Sequence, residues 1–284
     1  MILSMGNFFN YNGKVFDEGS FVIGPDNRAL RYGDGLFETF KIINNRILFS
    51  DDHFARLWKG LKLLQFEVPK HFTPENLETE ILALANKNKH THIVRVRLNV
   101  FRGNGGVNDA ENHTPNYIIQ TWELQENNGA LNSNGLIAGI YTEVQKNCDS
   151  ISSIKHNNYL PSILASLKAK QFKWNDAIIL NNFGRICETT IANIFIIKDD
   201  KIFTPSVNEG CINGIMRNHL IKELKRNDWE VEEKSITKDE LLQADEIFIT
   251  NSIYNMRWIK QVDDNIFHCT NISKIYAALS STFS

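Results

Sequence analysis

"GLFETFKIINNRILF" (residues 35–49), running directly into "SDDHFARLWKGLKLLQF" (50–66), decides the fold class. The first half is rich in β-branched and aromatic residues. It turns back at Asn44-Asn45, a residue type that tolerates the backbone of a tight hairpin. The second half changes period, with Phe54, Leu57, Leu61 and Leu64 recurring on one helical face. Ser50 reads as the N-cap, and Asp51 and Asp52 sit in the first turn, where acidic side chains suit the positive helix end. A strand pair that feeds a helix predicts mixed α/β architecture of the α+β type.

The same alternation extends in both directions. Upstream, "GKVFDEGSFVIG" (13–24) belongs to a stretch of short strands around glycine turns. Downstream come a helix in "PENLETEILALANKNK" (74–89) and strands in "HIVRVRLNVFRG" (92–103) and "NYIIQTWEL" (116–124). The polar, glycine-containing "QENNGALNSNG" (125–135) reads as a linker. The expected domains are therefore 1–124 and 136–284, joined by 125–135. In the second, a strand over 136–144 precedes a lysine segment and its helix. "DAIILNNFGRICETTIANIFIIKDDKIFTP" (176–205) reads as three strands with tight turns at 182–184 and at Asp199-Asp200. A helix after Gly214, a strand around 230–236, a short helix "TKDELLQA" (237–244), a strand "EIFITNS" (246–252) and a final helix complete the chain.

Composition excludes several classes of function. The 284 residues are 42% hydrophobic and 23% charged, the make-up of a globular protein with a substantial core. A formal net charge of −2 gives no basic surface for nucleic acid. Its apolar runs all fall short of a membrane span, and the amino-terminal stretch lacks the pattern of a signal peptide. Cys148, Cys187, Cys211 and Cys269 form no C-x-x-C pair or zinc spacing, and scattered single thiols fit the cytoplasm. No metal site is expected. "RGNGGVND" (102–109) is glycine-rich but does not match G-x-G-x-x-G, so it reads as a loop rather than a dinucleotide site.

"SSIKHNNYLPSILAS" (152–166) places Lys155 just before a helix that begins near Tyr159. Pro161 suits the first turn, where its missing N–H would be unpaired anyway. From these residues alone Lys155 is either a solvated surface amine or a nucleophile held in a site. Further along, Glu188 lies among Cys187, Ile191 and Ile194, where an unpaired charge would be costly to bury. Arg56 could form a surface ion pair with Asp52 one turn earlier, or bind an anion. Gly214 opens a helix whose first N–H groups, those of Ile215 and Met216, suit an anion.

Six segments then occur in order: "RYGDGLFETFKI", "DDHFARL", "SIKHNNYLPSILA", "GRICETTIANIFII", "CINGIMRNHLI" and "LQADEIFITNS". Together, over roughly residues 20 to 255, they resemble the class IV aminotransferases, the pyridoxal-phosphate enzymes of fold type IV. The resemblance implies a two-domain, D-amino acid aminotransferase-like fold and pyridoxal 5'-phosphate as cofactor. It implies that Lys155 carries the cofactor covalently and then moves a proton at the substrate carbon. Glu188 would hold the pyridine nitrogen protonated. Arg56, with the N–H groups of Ile215 and Met216, would bind the phosphate. Thr250 and Asn251 would supply the remaining phosphate and substrate contacts, and Tyr159 would bond the ring hydroxyl. Tyr32 and Phe37 would line the substrate side, or else belong to the core. A homodimer with shared active sites and a small amino substrate are implied as well.

Within the family, "IKH-x-N", "NGIMR" and Asn251 in "ITNS" resemble aminodeoxychorismate lyase, which eliminates pyruvate to leave 4-aminobenzoate for folate biosynthesis. Branched-chain and D-amino acid aminotransferases are the alternative, and a non-catalytic binding protein a further one. The glycine-rich loop lacks the basic residue of lyase relatives, which leaves Arg102 or Arg257 as the candidate for substrate carboxylates.

Overall fold

The computed structural model describes residues 7–283, so the first six residues of the amino-terminal stretch read for a leader lie outside the described residues. The chain divides into two units: residues 1–128 with 154–158, and residues 129–153 with 159–284.

Unit 1 is built on strands β1 (Phe8–Tyr11), β2 (Lys14–Asp17), β3 (Gly35–Ile43), β4 (Arg46–Ile47), β5 (Ile93–Phe101) and β6 (Asn116–Leu124). They form an antiparallel sheet in the order β2-β1-β6-β5-β3-β4. The β3–β4 hairpin turns at Asn44 and Asn45, both at positive φ (51° and 58°), as their residue type foretold. Three helices accompany the sheet: α1 (Arg28–Tyr32), α2 (Ser50–Leu63) and α3 (Pro74–Lys87).

Alternation along β3 and β5 sends Leu36, Phe40, Ile42, Val94, Val96, Leu98 and Val100 into one core. Phe54, Leu57 and Leu61 of α2 and Leu77, Ile81 and Leu84 of α3 complete it. Two expectations change here. Ser50 is the first residue of α2 rather than its cap, because Phe49 takes the cap position with φ 53° while the Ser50 hydroxyl bonds Glu78 (3.1 Å). The stretch before residue 35 ends in the short helix α1, capped by the Asn27 side chain on the Ala29 N–H.

The segment 154–158, which the linear order keeps with the C-terminal half, clusters with unit 1. The reason is backbone pairing with the start of β3. The Phe37 N–H donates to the Lys155 carbonyl (2.8 Å), the Asn157 N–H donates to the Gly35 carbonyl (2.9 Å), and Leu36 bridges His156. Gly35 permits this approach, since a Cβ there would lie 2.4 Å from the Val100 carbonyl and 2.7 Å from the Asn157 amide nitrogen.

Unit 2 carries β7 (Leu136–Lys146), β8 (Asp176–Asn181), β9 (Ile186–Thr189), β10 (Asn193–Lys198), β11 (Lys201–Pro205), β12 (Val231–Lys234), β13 (Glu246–Asn251), β14 (Asn255–Val262) and β15 (Asn265–Ile266). Their order is β12-β11-β10-β13-β14-β7-β8-β9, with β15 on β14. The sheet is mixed: β7 pairs in parallel with both β8 and β14, and β11 with β12. Residues 176–205 thus hold four strands rather than three, because the turn at residues 190–192 separates β9 from β10.

The helices of this unit are α4 (Leu160–Gln171), α5 (Ile215–Arg226), α6 (Lys238–Leu242) and α7 (Thr270–Leu279). Pro161 lies in the first turn of α4, and Thr237 with Glu240 closes a capping box on α6. Helix α4 turns small residues, Ser162, Ala165 and Ala169, to its own sheet. Leu160, Ile163, Leu164 and Leu167 face outward and are exposed. Among the described residues no helix is long and apolar enough to cross a membrane.

Replacing Gly35 with alanine is expected to lower stability by about 1–3 kcal/mol, the usual range for forced overpacking. A urea midpoint unchanged from wild type would show that the β3 edge can move aside.

Candidate functional site

Two groups of chemistry-bearing residues stand out, one in each unit. In unit 1 the centre is Glu38, on the core-facing side of β3 and 1% exposed. An isolated carboxylate there would be untenable. It is held on three sides: Arg56 of α2 donates through Nε and Nη2 (both 2.7 Å), and His53 meets it through Nδ1 (2.7 Å). Burial pushes the Glu38 carboxyl upward, but the Arg56 guanidinium and His53 outweigh it and bring it from an ordinary 4.5 to about 2.

Burial also lowers the pKa of His53, with the Lys155 and Arg56 charges acting in the same direction. A neutral His53 donates Nδ1–H to the carboxylate. Its Nε2 is then a bare acceptor, buried without a hydrogen-bond partner. The expected alternative for Arg56, a surface pair with Asp52, is replaced by this buried fork on Glu38.

Lys155 lies beside the same strand. Its ammonium sits 4.5 Å from the centre of the Phe37 ring, and the Arg97 guanidinium is 3.8 Å from that ring. Phe37, Thr39 and Lys41 project from the sheet face opposite Glu38, and their register partners on β5 are Asn99, Arg97 and Arg95. One face therefore gathers several cations around an aromatic ring. Burial alone pulls Lys41 down to about 8.

Tyr32, at the end of α1, is 37% exposed, with the guanidinium groups of Arg28 and Arg31 over its ring. Arg102, a candidate for the substrate carboxylates, is engaged within unit 1. It is bound to Asp34 (2.6 Å) and the Leu64 carbonyl and lies over the Phe66 ring, so it ties the β3 and α2 ends together.

In unit 2 the centre is Glu188 of β9, 4% exposed. Oε1 accepts from the Lys146 ammonium of β7, and Oε2 accepts from the Ile212 N–H (2.9 Å). Burial opposes the charge on Lys146, but Glu188 more than compensates and raises its pKa.

Gly214 caps α5 without any side-chain hydrogen bond to the helix, which leaves the first N–H groups, those of Ile215 and Met216, to a ligand or solvent. A Cβ on Gly214 would come within 2.0 Å of Asn193 Oδ1, while the Asn193 amide donates to the Ile212 carbonyl (2.8 Å). The loop is thus shaped around the absence of a side chain.

Thr250 is buried and donates to the Asn255 carbonyl (2.6 Å). The Asn251 side-chain oxygen Oδ1 accepts from the N–H groups of Ile253 and Tyr254 (2.9 and 2.8 Å) and shapes the β13–β14 turn. Arg257 stacks on Tyr254 (3.9 Å). Tyr159 is the residue before α4 and contributes to the electrostatic environment of Lys146.

Each unit holds groups that suit pyridoxal phosphate. In unit 1 the part-buried Arg56 guanidinium suits a phosphate and Lys155 an aldehyde; in unit 2 the uncapped, glycine-lined start of α5 suits a phosphate and the buried Glu188 carboxylate a protonated ring nitrogen. Sequence reasoning missed Glu38, His53, Lys146 and Asn193. Only Glu38 left a signal, an acid at a core-facing position between Leu36 and Phe40. Among the described residues no cluster of metal ligands occurs, and all four cysteines are free thiols.

Comparisons with known proteins point one way. The model of the family described as amino-transferase class IV matches residues 35–262. The chain is similar to aminodeoxychorismate lyase of Bacillus subtilis (strain 168), 30% identical over 254 residues that span 85% of this chain and 82% of that protein. It is also similar to D-alanine aminotransferase of Bacillus licheniformis, 27% identical over 256 residues, 89% of this chain and 87% of that one. A crystal structure of the T.th. branched-chain amino acid aminotransferase with pyridoxamine 5'-phosphate shares the fold, with a TM-score of 0.86 at 22% identity over 98% of this chain and 94% of that chain.

Because the folded pKa of Glu38 is depressed, its contribution to stability is complete above about 4.5 and is lost as pH falls toward about 2. Glu38→Gln should remove that part of the acid transition and destabilise the protein at pH 7 by roughly 3–5 kcal/mol, the loss expected for a broken buried pair. Urea titrations at several pH values measure both effects. An unaltered acid limb in the variant would count against a buried, ionised Glu38.

Proposed function

The chain belongs to the class IV aminotransferase family, enzymes that work with pyridoxal phosphate, and from that premise we propose that it is a 4-amino-4-deoxychorismate lyase, eliminating pyruvate to release 4-aminobenzoate for folate biosynthesis. The observation that carries the lyase assignment is Asn251 at the end of β13. Its motif "ITNS" resembles the lyase pattern, where aminotransferases usually carry a small hydroxyl residue, and its carboxamide closes the turn by accepting two backbone N–H groups. Similarity to the Bacillus subtilis lyase supports the same choice. An aminotransferase for branched-chain or D-amino acids is the second reading, favoured by the likeness to D-alanine aminotransferase.

Pyridoxal phosphate, when bound, supplies an aldehyde for covalent attachment and a conjugated ring that accepts electron density from the substrate carbon. Lys155 is assigned to hold it and, once released, to carry a proton to and from that carbon. Arg56, its guanidinium fixed by Glu38 and His53, and the amides of Ile215 and Met216 are each assigned to the phosphate. Glu188 would keep the ring nitrogen protonated, Tyr159 would bond the ring hydroxyl, and Thr250 would hold the loop. The substrate carboxylates fall to the cationic face around Phe37, where Arg97 takes the part first considered for Arg102. Tyr32 lines the same substrate side.

The proposal includes a homodimer and a cytoplasmic address. The outward stripe of Leu160, Ile163, Leu164 and Leu167 on α4 supports the first, since a monomer rarely leaves such a stripe to water. Free thiols support the second. Leu164→Glu is expected to convert a dimer to monomer in sedimentation velocity runs. A wild type that sediments as a monomer would remove the dimer from the proposal.

Incubated with aminodeoxychorismate and no keto acid, the protein should release pyruvate and 4-aminobenzoate in equal amounts. Lys155→Ala should show neither turnover nor the borohydride-sensitive visible absorbance of the wild type. Turnover of a branched-chain or D-amino acid with 2-oxoglutarate, and none of aminodeoxychorismate, would replace the lyase with the aminotransferase.

A further inference from the structure

The ion pair between Lys146 and Glu188 is buried in unit 2. The side chains are 12% and 5% exposed, and they come from neighbouring parts of one sheet, β7 and the β9 strand two places away. A carboxylate at this depth is retained as an anion only if a cation and hydrogen-bond donors hold it. Here the donors are the Lys146 ammonium on Oε1 and the Ile212 N–H on Oε2. Other ionisable groups around the pair are Cys187 on the same strand as Glu188, Cys211 just before α5, and Tyr159 at the start of α4. Arg217 and Cys148 lie one step further out. Arg217 is itself engaged by Glu233 (2.6 Å) and the Pro205 carbonyl (2.8 Å). Burial raises the Cys187 and Cys211 thiols, so both stay neutral near neutral pH. The counter-charge bonded to Glu188 is therefore Lys146.

We propose that Lys146 is a positioning residue for the cofactor: it pairs with the Glu188 carboxylate and orients it before pyridoxal phosphate arrives, so that the carboxylate is ready for a protonated ring nitrogen. The inference rests on reading Glu188 as the acid that meets that nitrogen. A carboxylate has about four acceptor directions, and the two donors occupy one on each oxygen, which leaves capacity for a further donor. Removing the ammonium would leave the buried Glu188 carboxylate without its partner on Oε1 and without the contact that fixes its orientation. Lys146 thus acts on the cofactor through Glu188 and not by contact.

The test is equilibrium dialysis of the purified full-length protein against pyridoxal phosphate, with folding checked by circular dichroism and thermal midpoint. Wild type is expected to bind. Lys146→Met and Lys146→Gln should each bind about tenfold or more weakly, the order expected when one member of a buried pair is removed, and Lys146→Arg should restore most of the affinity. In a Glu188→Gln background, Lys146→Met should add little further loss, because the lysine acts through the missing carboxylate. Wild-type affinity in Lys146→Met or Lys146→Gln would overturn the inference, as would an equal loss in the Glu188→Gln background. If Lys146→Met fails to fold, Lys146→Gln decides. A wild type that binds no cofactor would instead remove the cofactor assignments of Lys155, Arg56 and Glu188, and this inference with them.

Discussion

The Glu38 carboxylate is the constraint around which unit 1 is arranged. It occupies a position that the alternation of β3 reserves for an apolar residue, between Leu36 and Phe40. Removing a carboxylate from water costs several kcal/mol unless ideal partners meet it. Arg56 and His53 meet it together, both from α2, so one charged cluster fixes the rotation of that helix over the sheet. A hydrophobic residue at position 38 could pack as well, but it would leave the guanidinium without orientation. The cluster is better understood as a device that aims Arg56 than as a source of stability.

The same logic recurs in unit 2 with different residues. Glu188 replaces Glu38, and an ammonium from β7, two strands away in the sheet, replaces the guanidinium. In both places a buried acid lies on a strand, and in both it is paired with a base the strand itself does not supply. Such pairs contribute little net stability compared with an apolar core of equal volume. Their presence at two buried positions is a cost that the proposed function would explain: one would orient a cation for a phosphate, the other hold an anion for a ring nitrogen.

Much of the fold was legible because local rules wrote it. Asn44-Asn45 fixed a hairpin, the spacing of Phe54, Leu57 and Leu61 fixed α2, Pro161 marked the start of α4, and "TKDELLQA" contains α6. What stayed hidden depends on residues far apart in sequence. Lys155 pairs with β3 through backbone bonds between segments widely separated in the chain, which no window of sequence displays. Lys146 drew no reading from the sequence because its partner lies on another strand. Helix α1, at five residues, is too short to show a period. The residues of the candidate site were found largely through the family resemblance, while their supporting partners came only from coordinates.

Arg102 and Asn251 both have engagements within the protein that their motifs do not display. Both were singled out as polar residues suited to meet a substrate, and both side chains are engaged by the protein. Arg102 spans Asp34 and the Leu64 carbonyl, and the Asn251 oxygen accepts from the turn that follows β13. A guanidinium so committed would have to break charged hydrogen bonds before binding a carboxylate, each worth about 1.5–3 kcal/mol. The sheet face around Phe37 presents a different balance. Two of its cations, Arg97 and Lys155, approach one aromatic ring, and that gathering of charge is what supports proposing this face, rather than the arginine of the glycine-rich loop, for the substrate carboxylates.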